Sequence, residues 1–280
     1  MLSVKDHNRE SAGLTYVYPV VSRRSGGLSV GINLNPNNAC NWACVYCQVP
    51  NLTRGRAPAI DLLQLETELT DFLHEILEGR FLEEQTPQWA RRLNDIALSG
   101  NGEPTTAKEF GQVVEIINKI LKELHLLGRI ELILITNGSQ IHRPDIQLAL
   151  KRFGELDGQI WFKLDRATPG GIYQVNGIKL SLKRVRENLV IASSLCTTWI
   201  QSCFFSVGNF PPAVSEQQAY LELLASFKND NLPIAGVLLY DLARPSMQPD
   251  SAKLSNPGFD WMNQLASAIR DLGYLVKLAL

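Results

Sequence analysis

The sequence predicts an α/β fold in which parallel strands alternate with helices along most of the chain. Short apolar runs typical of buried strands recur through the 280 residues, and a stretch with helical periodicity follows nearly every one of them. No internal repeat or low-complexity tract interrupts this alternation. Strands joined by helical crossovers pair in parallel, so six such units form either an open doubly wound sheet or a partial barrel. The periodicity alone does not distinguish these two architectures.

The strand predictions rest on short apolar runs that end in turn residues. They cover, in chain order, residues 28–34, 95–99, 131–136, 159–165, 199–207 and 234–240, with a last apolar run at 274–278.

Residues with capping preferences indicate where the helices begin. Asp61 with Gln64, and Thr106 with Glu109, match the capping box, and Pro144 suits a first helical turn. The predicted helices cover residues 61–77, 106–127, 145–153, 182–195 and 260–272, with one more that starts at Ser215.

The bulk composition is that of an ordinary globular protein, with 45% hydrophobic and 20% charged residues. No apolar run reaches the ~18 residues that a membrane helix needs, and the first six residues are too polar for a secretory signal. The net charge of -1 disfavours a large nucleic-acid surface, which usually carries a basic excess. We therefore expect a cytoplasmic protein with no membrane contact, folded as one domain over residues 1–280.

Three of the five cysteines, Cys40, Cys44 and Cys47, follow the first predicted strand closely. In a βα barrel this position is the mouth where active sites lie. Three thiolates hold three corners of an iron–sulfur cubane and leave the fourth iron open. A disulfide framework is disfavoured because the cysteine count is odd and no export signal precedes it.

Two other interpretations of the cysteines stay open at this point. A zinc-stabilised binding module needs a fourth ligand, but neither His7 nor His74 has normal ligand spacing from the three thiols. An iron–sulfur electron carrier is the second alternative, although such carriers are smaller. Cys196 and Cys203 lie far along the chain and are predicted to be buried, apolar-like cysteines.

The Cys-x3-Cys-x2-Cys spacing, with Tyr46 before the last cysteine, resembles the signature of the radical S-adenosylmethionine (SAM) superfamily. The resemblance covers about residues 25–245 and implies a partial (β/α)6 TIM-like barrel of the radical SAM type, with terminal extensions at both ends. It also implies a [4Fe-4S] cluster on the three cysteines, with SAM bound at the open iron.

A second motif after the second predicted strand resembles the family's Gly-Glu-Pro segment, whose backbone carbonyls receive the SAM ammonium. Its glycines allow close backbone approach, and its proline removes a competing N–H donor. A plain strand–helix turn is the alternative explanation. The residues that this resemblance assigns to SAM are Gly100, Asn101, Gly102, Glu103 and Pro104.

Further residues near the predicted strand ends are assigned by the same resemblance, each beside a structural alternative. Lys163 and Asp165 share the inward face of one strand, where unpaired charges are costly, so they form an ion pair or contact SAM or substrate. Arg244 is a candidate for holding an anionic substrate group, or an ordinary surface arginine. The candidate catalytic residues are therefore Lys163, Asp165 and Arg244. The remaining candidates for SAM binding, besides Tyr46, are Thr136, Asn137, Asn209 and Val237.

The resemblance implies oxidoreductase or lyase-type chemistry in which a 5′-deoxyadenosyl radical abstracts hydrogen from a substrate. A flavodoxin or ferredoxin-type reductant is the implied electron donor. The motifs are most similar to those of wyosine-base synthases acting on tRNA, and then to those of glycyl-radical activating enzymes. Residues 1–39 contain no cysteine for the second cluster of the wyosine enzymes. The substrate, whether a small molecule, a protein or a tRNA, is therefore undecided.

Overall fold

An eight-stranded sheet forms the scaffold, as seen in a computed structural model that describes residues 2–3, 12–22 and 26–280. Within those residues the strands are β1 (Val17–Ser22), β2 (Gly27–Ile32), β3 (Ala39–Cys40), β4 (Thr53–Arg54), β5 (Leu93–Leu98), β6 (Glu131–Thr136), β7 (Gln159–Lys163), β8 (Thr197–Cys203), β9 (Ser206–Val207), β10 (Ile234–Tyr240), β11 (Leu254–Ser255) and β12 (Val276–Ala279).

The large sheet has the order β1-β2-β5-β6-β7-β8-β10-β12 and is curled into a half-barrel. Strand β1 pairs with β2 in antiparallel fashion, and every other neighbouring pair is parallel. The six predicted strands are consecutive neighbours in the middle of this sheet, which confirms the partial barrel. Strands β1 and β12 extend it at its two edges, and two small sheets, β3–β4 and β9–β11, lie in the loops.

The helices named in the described part of the chain are α1 (Leu62–Leu77), α2 (Phe81–Gln85), α3 (Phe110–Glu123), α4 (Pro144–Gly154), α5 (Pro169–Asn176), α6 (Leu182–Leu195), α7 (Val214–Asn229) and α8 (Phe259–Asp271). None of the helices in these described residues is both long and apolar enough to cross a membrane.

Successive side chains of each strand point to opposite faces of the sheet, and the apolar ones form two separate clusters. In β5, Ile96 and Leu98 join the large core that the helices cover, whereas Ala97 between them points to the inner side of the curl. Five neighbouring strands each contribute one buried side chain to this inner cluster, as in the packed interior of a barrel. The members of the inner cluster are Ala97, Ile133, Trp161, Trp199 and Leu238.

The helix starts agree only in part with the capping predictions. Asp61 caps α1, because its carboxylate accepts the Gln64 N–H at 3.0 Å. The predicted box of Thr106 with Glu109 does not form, since α3 begins at Phe110. The Thr106 hydroxyl donates instead to the Glu103 carbonyl at 2.7 Å, within a short 3-10 turn.

Helix α5 is absent from the sequence predictions because its first turn contains Pro169 and two glycines, which have low helix propensity. Its capping residue is Thr168, whose hydroxyl accepts the Gly171 N–H at 2.9 Å. It ends at Gly177, which adopts the left-handed conformation with φ of 66°. The end of this short helix contacts the loop that carries Cys40, Cys44 and Cys47.

Candidate active site

A cavity of about 280 Å3 opens where the parallel strands end. The three clustered cysteines line it together with most of the predicted SAM-binding residues. The predicted site residues on its wall are Cys40, Cys44, Cys47, Tyr46, Gly100, Asn101, Gly102, Glu103, Asn137, Lys163 and Arg244.

Other predicted residues lie behind the wall or away from it. Asp165 and Thr136 are buried directly behind it and bond to residues that line it. Pro104 is buried in the 3-10 turn after the glycines. Val237 belongs to the large core outside the curl, and Asn209 is exposed in the turn after β9, so the structure does not bring these two to the cavity.

The cysteine loop, residues 39–54, is closed by its own small sheet, in which Ala39 and Cys40 pair with Thr53 and Arg54. Its backbone is also attached to the end of α5. The Ala43 N–H donates to the Asn176 carbonyl at 3.0 Å, and the Val45 N–H donates to the Val175 carbonyl at 2.9 Å. Carbonyls in the last turn of a helix lack hydrogen-bond partners within the helix. These contacts therefore provide partners for the carbonyls of α5 and for the N–H groups of the cysteine loop.

The clustered cysteines are free thiols. Burial raises the pKa of Cys40 to about 11 and the pKa of Cys44 to about 12. Both are therefore protonated near neutral pH unless a cation binds, and metal binding must displace protons. No three His, Cys, Asp or Glu side chains among the described residues are arranged for a single metal ion. A cubane demands a wider arrangement, since each thiolate binds a different iron.

The loop after β5 packs directly on the cysteine loop. A Cβ added at Gly102 would stand 2.1 Å from the Ala39 carbonyl oxygen, so only glycine allows this approach. The Asn101 side chain donates to the Asn38 side chain at 2.6 Å across the same junction. The cysteine loop and the loop of residues 100–104 therefore form one continuous rim of the cavity.

The Glu103 side chain turns inward and fastens this rim to the next strand. It is 2% exposed and accepts hydrogen bonds from the Thr105 backbone at 3.1 Å, the Thr136 hydroxyl at 2.6 Å and the Asn137 backbone at 2.7 Å. The Thr105 hydroxyl donates a further bond at 2.5 Å. Burial raises the pKa of Glu103, and these donated bonds oppose the rise.

Asp165 anchors the opposite side of the site. Its carboxylate accepts hydrogen bonds from the Tyr46 hydroxyl at 2.5 Å, the Asn176 side chain at 2.8 Å and the Cys203 N–H at 2.9 Å. With three donors it is a buried structural acceptor as well as a neighbour of the cysteine loop.

Lys163 supplies positive charge at the cavity wall. Its ammonium donates to the Tyr240 hydroxyl at 3.0 Å and lies 5.0 Å from the centre of the Tyr46 ring. Burial by itself lowers the pKa of Lys163. The neighbouring Asp165 carboxylate and Tyr240 raise this pKa by more than burial lowers it, so the pKa lies above its ordinary value. These neighbours therefore favour the charged form of Lys163.

Gln201 and Asn176 are among the polar residues of the site that have no counterpart in the sequence predictions. Gln201 lies opposite Lys163 in register, is 1% exposed and lines the cavity. A polar residue inside a predicted strand is a signal that could have found it. Asn176 lies at the end of the unpredicted α5, and its side chain reaches Cys44. Without that helix no sequence signal pointed to it.

Comparison with solved structures identifies the fold. SuiB of Streptococcus suis, bound to its precursor peptide SuiA, matches with a TM-score of 0.58 and 11% identity, over 91% of this chain and 48% of SuiB. TYW1 with a bound lysine–pyruvate adduct matches with a TM-score of 0.55 and 13% identity, over 97% of this chain and 79% of TYW1. The chain shares the fold of these two structures, which agrees with the partial barrel that the resemblance implied.

Comparison with curated proteins gives the family. The UPF0026 protein of Synechocystis sp. is 31% identical over 223 residues, which are 76% of this chain and 71% of that protein. A UPF0026 protein of Helicobacter pylori (strain ATCC 700392 / 26695) is 29% identical over 236 residues. The chain belongs to the UPF0026 family. It spans 66% and 54% of the lengths of two H. pylori relatives. No protein-family model matches the chain.

Proposed function

We propose that this protein is a radical SAM enzyme that holds one [4Fe-4S] cluster on Cys40, Cys44 and Cys47 and cleaves SAM reductively. The observation that carries the proposal is the shared cavity. Three free thiols line the same cavity as the glycine-rich loop after β5, at the carboxyl ends of parallel strands. In barrels of this type those strand ends form the reactive face.

The donor set fits such a cluster. Three soft sulfur ligands suit iron–sulfur chemistry, and one iron stays open for a substrate. Because Gly102 has no side chain, the loop after β5 lies directly against the Ala39 carbonyl at the cavity wall, where the resemblance places the SAM ammonium. When bound, the cluster supplies the electron that breaks a sulfonium C–S bond of SAM.

The protein's own residues bind and orient the reactants. Lys163 faces the cavity as a cation and suits the SAM carboxylate or an anionic substrate group, and Arg244 offers a second positive charge on the same wall.

The reductant and the substrate are parts of the same proposal. A flavodoxin or ferredoxin-type protein in the cytoplasm is the proposed electron donor. Among the fold relatives, SuiB binds a precursor peptide. A small molecule, a protein such as a glycyl-radical enzyme and a tRNA are the substrate classes to test, and the net charge of -1 gives the least support to tRNA.

The test uses protein reconstituted anaerobically with iron and sulfide. We expect iron and sulfide to bind and dithionite to release 5′-deoxyadenosine from SAM. Cys44→Ala should abolish both, whereas Cys196→Ala should retain both, because the Cys196 thiol is buried against the Leu150 carbonyl and does not line the cavity.

Each alternative gives a different result. Iron uptake without SAM cleavage would indicate an electron carrier, and zinc without iron would indicate a zinc-stabilised module. Full iron content in Cys44→Ala would contradict the ligand assignment.

A further inference from the structure

Asn176 is a buried amide that contacts a cysteine of the clustered trio directly. Its side chain is 1% exposed, and its Nδ2 lies 3.3 Å from the Cys44 Sγ and 2.8 Å from the Asp165 Oδ2. An amide nitrogen carries two N–H groups, so one is available for each of these acceptors.

The backbone on both sides of this contact is fixed. The Asn176 carbonyl accepts the Ala43 N–H at 3.0 Å, one residue before Cys44. The next residue, Gly177, has a φ of 66°, and a Cβ there would approach the Ala43 carbonyl oxygen to 2.8 Å. The end of α5 and the cysteine loop therefore meet through backbone contacts, and the Asn176 side chain has a defined position against the sulfur.

Asp165 determines which end of the amide faces the sulfur. A carboxylate only accepts hydrogen bonds, and the Asp165 carboxylate is itself fixed by the Tyr46 hydroxyl and the Cys203 N–H. If the amide were flipped, its oxygen would face that carboxylate and lose the 2.8 Å bond. The nitrogen is therefore the atom between Asp165 and Cys44, and its second N–H points to the sulfur.

We propose that Asn176 is a positioning residue that raises the reduction potential of the cluster by donating a hydrogen bond to the Cys44 sulfur. This inference rests on the proposed function, since it needs a cluster on Cys44. Reduction adds negative charge that spreads onto the thiolate ligands, and a donor to a ligand sulfur stabilises that charge. The bond thus favours the reduced cluster, the state that must deliver the electron.

The first experiment compares wild type with Asn176→Leu, which keeps the side-chain volume and removes the donor. The midpoint potential of the reconstituted cluster is measured by redox titration followed by electron paramagnetic resonance. We expect the ratio of reduced to oxidised cluster at a fixed potential to fall about tenfold, with iron content unchanged. Tenfold corresponds to ~59 mV for a one-electron couple.

Asn118→Leu is the matched control. Asn118 is a buried asparagine on α3 whose side chain bonds to Glu115, and it does not line the cavity. Its substitution tests the general effect of replacing a buried amide, and the potential should stay at the wild-type value. An unchanged potential in Asn176→Leu with a full cluster would overturn the inference and leave the proposed function intact.

A second measurement needs no variant and applies even if Asn176→Leu does not take up iron. Wild-type protein is labelled with 15N at the asparagine side-chain amides only, and hyperfine coupling to the reduced cluster is recorded. A 15N coupling is expected because the Asn176 nitrogen lies in hydrogen-bond contact with a ligand sulfur. Absence of coupling in a protein with a reduced cluster would overturn the inference. Absence of any cluster in wild type would instead refute the proposed function.

Discussion

Glu103 lies in the loop that resembles a SAM-binding segment, and its side chain holds that loop in shape. Its buried carboxylate accepts four hydrogen bonds, two from Thr105 in the loop after β5 and two from Thr136 and Asn137 at the end of β6. The motif predicted a role for Glu103 in SAM binding. Its position in the sequence did not reveal that the side chain is a structural acceptor, because Thr136 and Asn137 come from another strand.

We predict that Glu103→Gln lowers the free energy of unfolding by about 3 kcal/mol. The new amide group would place N–H donors against the donors that now bond to the carboxylate. Urea unfolding measures the loss. Glu123→Gln is the control, since Glu123 is exposed at the end of α3 and its substitution should change stability by less than ~0.5 kcal/mol. Equal stability of the two variants would contradict this role of Glu103.

A second prediction concerns the contact between the two motif loops. Gly102→Ala places a Cβ against the Ala39 carbonyl, so the loops must separate, at a cost of about 1–3 kcal/mol. We expect lower stability and reduced iron uptake in anaerobic reconstitution. Gly170→Ala is the matched control, because a Cβ there meets no atom within 4 Å. If Gly102→Ala bound iron as wild type does, the loops would not depend on this approach.

Among the helices and strands, those with a strong local sequence pattern were predicted, whereas some that depend on tertiary packing were missed. The periodic helix at 182–195 was predicted with the bounds that the structure gives to α6. Helix α5 lacks propensity in its first turn and forms because it packs between the sheet and the cysteine loop. Strand β1, which contains Pro19, was likewise missed; proline is tolerated there because β1 is an edge strand.

The end of α5 gives a prediction at this scale. Gly177→Ala combines the cost of a left-handed alanine, about 1–2 kcal/mol, with a Cβ that crowds the Ala43 carbonyl. Gly128→Ala is matched in conformation, with φ of 69°, but has open space around the new Cβ. We expect Gly177→Ala to be the more destabilising variant in thermal unfolding and to accelerate proteolysis within residues 39–54. Equal effects would mean that α5 does not restrain the loop.

For the whole molecule, one sheet and one large apolar core connect the two ends of the described chain. The core includes Tyr16 and Tyr274 together with residues from every helix-covered strand between them. The single domain predicted from the sequence stays a prediction, and it has a thermodynamic test. We expect one calorimetric transition, with equal calorimetric and van't Hoff enthalpies. Two separable transitions would indicate independent folding units.

The same sheet also determines how the cavity is bounded between its two edges. The edge strands β1 and β12 are not paired with each other, yet Val20 on one and Ala279 on the other both border the cavity. A closed barrel admits molecules only along its axis, whereas an unclosed one also has a slot along its flank. Under the proposed function, a long polymer substrate would lie across that slot and insert only its reacting group. The cavity of about 280 Å3 would then bear on the size of the inserted group and not on the length of the polymer.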